Sequence, residues 1–112
     1  MHLANMPASK FSLLERKRLE LARALATNPK LLMLDEIAGG LTDAECLSLI
    51  DTIKAIHSSG VTIIWIEHVL HALTSVVEQL LVLDFGKVIA MGEPDKIMES
   101  RNVQQVYLGI DA

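Results

Sequence analysis

The sequence predicts an α/β fold: a mainly parallel sheet with flanking helices and a closing β-hairpin. Three observations carry this. Apolar runs of strand length, at residues 31–34, 61–66 and 80–83, alternate with stretches of helical periodicity. The first run is four apolar residues in a row, which is how parallel strands covered on both faces read, and the second is rich in β-branched residues. The third leads through Asp84 to two residues, Phe85-Gly86, and then a further strand pattern, the spacing of a hairpin.

Taken in order, residues 1–11 carry little pattern, and Pro7 disfavours a helix there. Ser12 opens the first helix: with Glu15 it forms the Ser-x-x-Glu capping box, and Leu14, Leu21 and Leu25 then recur at helical spacing with Ala22 beside them. Asn28-Pro29 stops that helix. Residues 30–35 read as a fully buried strand. After the Gly39-Gly40 loop, Thr42 and Glu45 repeat the capping box, and a helix runs to 58, ended by Ser59-Gly60. Residues 61–66 form a second buried strand rich in β-branched side chains. A short helix at 70–77 precedes the hairpin strands 79–84 and 87–91. Gly92-Glu93-Pro94 begins a small helical tail ending near Tyr107-Leu108-Gly109. Strands alternating with helices imply right-handed crossovers.

Composition narrows the function classes. Hydrophobic residues make up 51% and charged residues 21%, the balance of a globular domain with one core. A net charge of −4 without a basic stripe argues against nucleic-acid binding, whose affinity comes from neutralising phosphates. The single cysteine, Cys46, cannot form an intramolecular disulfide, fits a reducing compartment, and reads as a buried inert thiol on its helix. No apolar run is long enough to span a bilayer, and residues 1–10 show no signal-peptide pattern. A membrane role would therefore come through partners.

The chemistry concentrates at Leu31-Leu32-Met33-Leu34-Asp35-Glu36. Four apolar residues end in two carboxylates, and in open parallel sheets ligands bind beyond the carboxyl ends of the strands. Two acids there suit Mg²⁺ and a base for a water. They equally suit a solvated strand end, and local pattern leaves both readings open.

The flanking residues bring a family into view. Ser12-Leu13-Leu14-Glu15 leading into Leu21-Ala22-Arg23-Ala24-Leu25 resembles the signature segment of ATP-binding cassette (ABC) ATPases, a Ser-Gly-Gly-Gln helix start followed by Ala-Arg-Ala-Leu. Residues 31–36 then look like the Walker B strand, and Gly39-Gly40-Leu41-Thr42 takes the place of the D-loop. Ile63-Ile64-Trp65-Ile66-Glu67-His68 looks like the strand ending in the switch histidine, and residues 83–94 look like the closing hairpin. The motifs stand in the family's order and spacing from Phe11 onward.

The resemblance implies the C-terminal half of a P-loop NTPase domain, with residues 1–112 a partial ABC ATPase domain. It implies ATP and Mg²⁺ as cofactors, with Asp35 holding Mg²⁺ through water. Glu36 would polarise the attacking water and His68 would contact the γ-phosphate. Ser12, Leu13, Leu14 and Glu15 would face nucleotide on a second ATPase subunit. His2, His57 and His71 read as structural. The departures are informative. Leu13 and Leu14 replace two glycines whose backbone can approach closely. Glu15 replaces a glutamine, so either the signature works with altered geometry or Glu15 turns inward as a capping residue. Ile37 stands where the family often has proline. Thr42 replaces an aspartate and is better explained as a cap.

The implied partners are transmembrane permease subunits and a second ATPase subunit, with the protein cytoplasmic and peripheral on the inner face of the cell membrane. The tail from Gly92 to Gly109 resembles the end of branched-chain amino acid importer ATPases; lipopolysaccharide-export ATPases end similarly. A non-catalytic interaction module is the reading from another class. Asp84-Phe85-Gly86 matches the kinase magnesium motif without its companions, and a hairpin turn explains it.

No Gly-x-x-x-x-Gly-Lys-Ser/Thr occurs in the 112 residues, nor does a Q-loop segment precede the signature. That phosphate loop supplies the backbone cradle and lysine for the phosphates, so a truncated chain, a split gene product or a fragment is expected. The 112-residue chain alone should neither hydrolyse Mg-ATP nor bind it tightly. Calorimetry checks this, and a micromolar dissociation constant, about −8 kcal/mol, would contradict it.

Overall fold

The computed structural model describes residues 11–108, which divide into two compact units at the boundary between Ala72 and Leu73. The readings made on residues 1–10, His2 among them, and on Gly109 lie outside the described residues.

In the first unit, α1 (Leu13–Leu25) is followed by β1 (Leu31–Asp35), α2 (Asp43–Ser58) and β2 (Thr62–Ile66). Both helices begin as the sequence dictates. The Ser12 hydroxyl accepts from the Glu15 N–H while Glu15 Oε1 accepts from the Ser12 N–H. Thr42 and Glu45 make the same reciprocal pair. Two donors that each helix start would leave unsatisfied are thereby bonded. α1 ends at Leu25 with Ala26 as its cap, and in the turn that follows Asn28 takes the left-handed conformation (φ 54°) that asparagine tolerates after a helix.

β1 and β2 pair in parallel, Leu31 with Thr62 through Asp35 with Ile66, and α2 makes the crossover between them. The register sets one row of side chains, Leu32 and Leu34 beside Ile63 and Trp65, against the helices. Leu21 of α1 and Leu49, Ile53 and Ile56 of α2 complete the core, with Leu14, Leu25, Ile37 and Leu41 packed on it. Ile37, in the family's proline position, is thus a packing residue.

The expectation of fully buried strands is corrected. β1 alternates between exposed and buried, β2 between exposed and half-buried, and Leu31, Met33, Ile64 and Ile66 on the second row are exposed. The reason is topological: the core cluster gathers on one face, so period-two alternation governs what the composition suggested was burial on both.

In the second unit, reached through α3 (Leu70–Thr74), β3 (Leu80–Asp84) and β4 (Lys87–Gly92) form an antiparallel hairpin. Phe85 (φ 48°) and Gly86 (φ 75°) make its two-residue turn, both left-handed as a type I′ turn requires. Asp84-Phe85-Gly86 is therefore a turn. A register shift after Val82 leaves Ile89 as the extra residue of a bulge. α4 (Pro94–Met98), α5 (Arg101–Val103) and a π-helical turn (Gln104–Leu108) follow. The Tyr107 hydroxyl donates to the Leu83 carbonyl at 2.8 Å, tying that turn to the hairpin. The strands thus form two two-stranded sheets, one parallel and one antiparallel.

On α2, Leu49 has no exposure while Leu47 is 61% exposed. Leu49→Ala should cost about 2–5 kcal/mol, whereas Leu47→Ala should stay within about 0.5 kcal/mol. Urea denaturation of the two variants checks the contrast.

Candidate functional site

The parallel register brings the carboxyl ends of β1 and β2 level, and the candidate residues lie just beyond them. Glu36 donates its N–H to the Ile66 carbonyl at 2.7 Å, extending the ladder by one bond. At the same residue the chain leaves strand geometry, with φ at 52°. This left-handed conformation costs a non-glycine residue about 1–2 kcal/mol. It breaks the inward-outward alternation at the carboxylate, which stands in solvent. His68 lies beyond β2 on the same row as Ile64 and Ile66. Its Nδ1 is 3.4 Å from Glu36 Oε1, and both side chains are more than half exposed. The structure therefore brings Glu36 and His68 together, as expected from strand ends in one sheet.

Asp35 is exposed on the outward row, opposite Ile66. Among the described residues no group of three histidine, cysteine or acidic side chains could hold a metal ion. Mg²⁺ commonly takes only one or two carboxylates and completes its shell with phosphates and water. Asp35 and Glu36 fit a site of that shared kind.

Sequence reasoning missed Glu67. Along β2 the core-facing row is Ile63, Trp65 and, one step beyond the strand, Glu67. Its side chain is wholly buried, with Oε1 3.7 Å from His68 Nδ1. Burying a carboxylate is costly unless it is hydrogen-bonded, and this one is. Oε2 accepts from the Ala38 N–H at 3.0 Å and from Trp65 Nε1 at 3.2 Å, and Oε1 accepts from the His68 N–H at 3.2 Å. The signal was present: period-two counting from Trp65 puts Glu67 on the apolar row.

The signature residues are arranged by packing. Glu15 is half-buried and bonded back to Ser12, so the structure contains its capping contact. Leu14 packs on the core. Leu13 leans on the Gly39-Gly40 turn: a Cβ added at Gly40, where φ is 80°, would meet Leu13 Cδ2 at 2.9 Å. The same unit ties α1 to α2 through a hydrogen bond from the Arg18 guanidinium to the Ser48 hydroxyl.

The remaining candidates are quiet. Cys46 is buried, and burial pushes its thiol up from the ordinary value, with the Glu67 and Asp43 charges adding to the rise. A thiol held protonated in this way is a poor nucleophile. His57 Nδ1 lies 3.2 Å from the Val61 carbonyl at the end of α2. His71 is exposed and lines a shallow depression with Asp43, Cys46, Leu47 and Ile50.

No protein-family model matches the chain. Individual proteins do. The chain is 34% identical over 110 residues to the lipopolysaccharide export system ATP-binding protein LptB of Escherichia coli K12, covering 98% of this chain and 46% of that protein. It is 36% identical over 107 residues to the high-affinity branched-chain amino acid transport ATP-binding protein BraF of Pseudomonas aeruginosa, covering 95% and 42%. Its backbone matches the ADP conformation of an ATP-binding cassette of an ABC transporter with a TM-score of 0.90 at 28% identity, over 97% of this chain and 44% of that one. The chain thus spans a little under half the length of these relatives.

Because both leucines pack rather than leaving an approach open, Leu13→Gly with Leu14→Gly should destabilise the chain. The loss is about 1.5–3 kcal/mol for burial at Leu14, with about 1 kcal/mol more for each glycine placed in the helix. Guanidinium unfolding checks this; an unchanged midpoint would mean neither leucine packs as described.

Proposed function

We infer that, because the chain belongs to the ATP-binding domains of ABC transporters, Asp35, Glu36 and His68 form the hydrolytic part of an ATP site. The observation that carries this reading is the convergence of Glu36 and His68, 3.4 Å apart, beyond the carboxyl ends of two parallel strands.

In this reading Glu36 accepts a hydrogen bond from the attacking water and orients it toward the γ-phosphate. His68 presents one ring nitrogen to Glu36, which leaves the other side of an exposed imidazole for the γ-phosphate. Asp35 would be the residue to hold Mg²⁺, which when bound with ATP would neutralise charge on the phosphate oxygens. Ser12 and the start of α1 offer a helix N-terminus to the nucleotide of a second ATPase subunit, favoured by the helix dipole. The Ser12-Leu13-Leu14-Glu15 contact is the part most altered from the family's pattern. A complete ATPase of this family takes its phosphate cradle and lysine from a Gly-x-x-x-x-Gly-Lys-Ser/Thr loop, a motif not found in residues 1–112.

Coupling to transport would run through transmembrane permease subunits at the inner face of the membrane. No helix among the described residues is long and apolar enough to cross a bilayer. For the transported solute we favour branched-chain amino acids, on the tail from Gly92 to Gly109 and the 36% identity to BraF. Lipopolysaccharide export is the second reading, favoured by the 34% identity to LptB over 98% of the chain. Solute-stimulated ATPase activity in reconstituted permease complexes of the two kinds separates them.

In a complete ATPase containing these residues, Glu36→Gln should abolish turnover and leave ATP binding within about twofold, since the amide keeps the shape but cannot serve as a base. Asp35→Asn should instead weaken the Mg²⁺-dependent part of binding. Phosphate release and nucleotide titration check both, and wild-type turnover in Glu36→Gln would remove Glu36 from its role.

A further inference from the structure

We propose that Glu67 is a positioning residue: its buried carboxylate clamps the turn after β1 to the end of β2 and thereby fixes the Glu36–His68 pair. This rests on the ATPase reading for its consequence in turnover, but the clamp stands on geometry alone.

A carboxylate with no exposed side-chain surface needs donors on both oxygens. Glu67 has them from three places. The Ala38 N–H belongs to the turn that leaves Glu36, Trp65 Nε1 belongs to the core row of β2, and the His68 N–H belongs to the neighbouring residue. Ala38 is itself buried. One side chain therefore holds the backbone two residues after Glu36 and the backbone of His68. The backbone of Glu36 is left-handed and gains nothing from strand propensity. Its ladder bond to Ile66 fixes one side of it, and the Ala38 bond fixes the other. The His68 ring is flanked at Nδ1 by both carboxylates, at 3.4 Å from Glu36 and 3.7 Å from Glu67. That orients the ring with Nδ1 inward.

Glutamine cannot replace this carboxylate. All three partners are N–H donors, and an amide offers acceptor capacity on one side only. Placed with its oxygen toward Ala38 and Trp65, it sets its NH₂ against the His68 N–H. Placed the other way, it opposes the other two donors.

The test uses the ¹⁵N-labelled 112-residue chain. The wild type should show slow exchange at the Trp65 indole and Ala38 amide; unprotected rates at both would overturn the clamp without any variant. In Glu67→Gln those two protons should exchange about 10-fold faster or more, and the His68 ring resonances should shift, while the Leu49 amide in α2 keeps its protection. Unaltered Trp65, Ala38 and His68 signals would overturn the proposal. So would an equal loss at Leu49, which reports loss of stability only. In a complete ATPase containing these residues, Glu67→Gln should lower kcat about 10- to 100-fold, as loss of an orienting partner does, with KM for ATP within about twofold. Unchanged kcat overturns the proposal. A wild-type protein without ATPase activity would instead sink the functional reading and leave the exchange experiment to judge the clamp.

Discussion

The register of β1 against β2 is the constraint from which the rest of the first unit follows. Pairing Leu32 with Ile63 and Leu34 with Trp65 puts four apolar side chains on one row, facing α1 and α2. A slip of one residue would send that row to solvent and bring Met33 and Ile64 inward. It would also unlevel the strand ends. With the observed pairing, Glu36 donates to Ile66 and the chain beyond β2 arrives beside it, so hydrophobic packing in the core fixes the separation of two polar groups outside it.

Polar chemistry at the edge of this core is held by reciprocal bonding rather than by charge pairing. Two capping boxes start the two helices, and a buried carboxylate collects three N–H donors at the sheet end. Each device satisfies backbone groups that would otherwise need water. The ion pair of Arg23 with Glu20 on α1 is exposed and contributes little.

Much of this was legible in the sequence because its signals are local. Capping residues, Asn28-Pro29, and the two residues between β3 and β4 act over a few positions, and the observed elements begin and end within a residue or two of the expected ones, apart from α3, which stops at Thr74. The motif order singled out Asp35, Glu36 and His68 as candidates, and the parallel pairing brought the last two together. What was not legible is long-range. Continuous apolar composition in β1 concealed its alternation, because composition does not say how many faces are covered. Glu67 was passed over beside a histidine, although its place on the Trp65 row marked it. The contact of Leu13 with the Gly40 turn joins residues far apart in sequence and has no local signature.

The left-handed backbone at Glu36 sets foldability against the chemistry proposed for that position. Glycine, or asparagine, would relax φ at 52° and remove an exposed acid next to the exposed Asp35. A library of this chain selected only for expression or thermal resistance would therefore drift away from glutamate there, and sequence designers scoring backbone fit would make the same choice. Stabilising this domain by local energy alone thus carries a specific hazard: the substitution that looks most beneficial is the one that deletes the carboxylate.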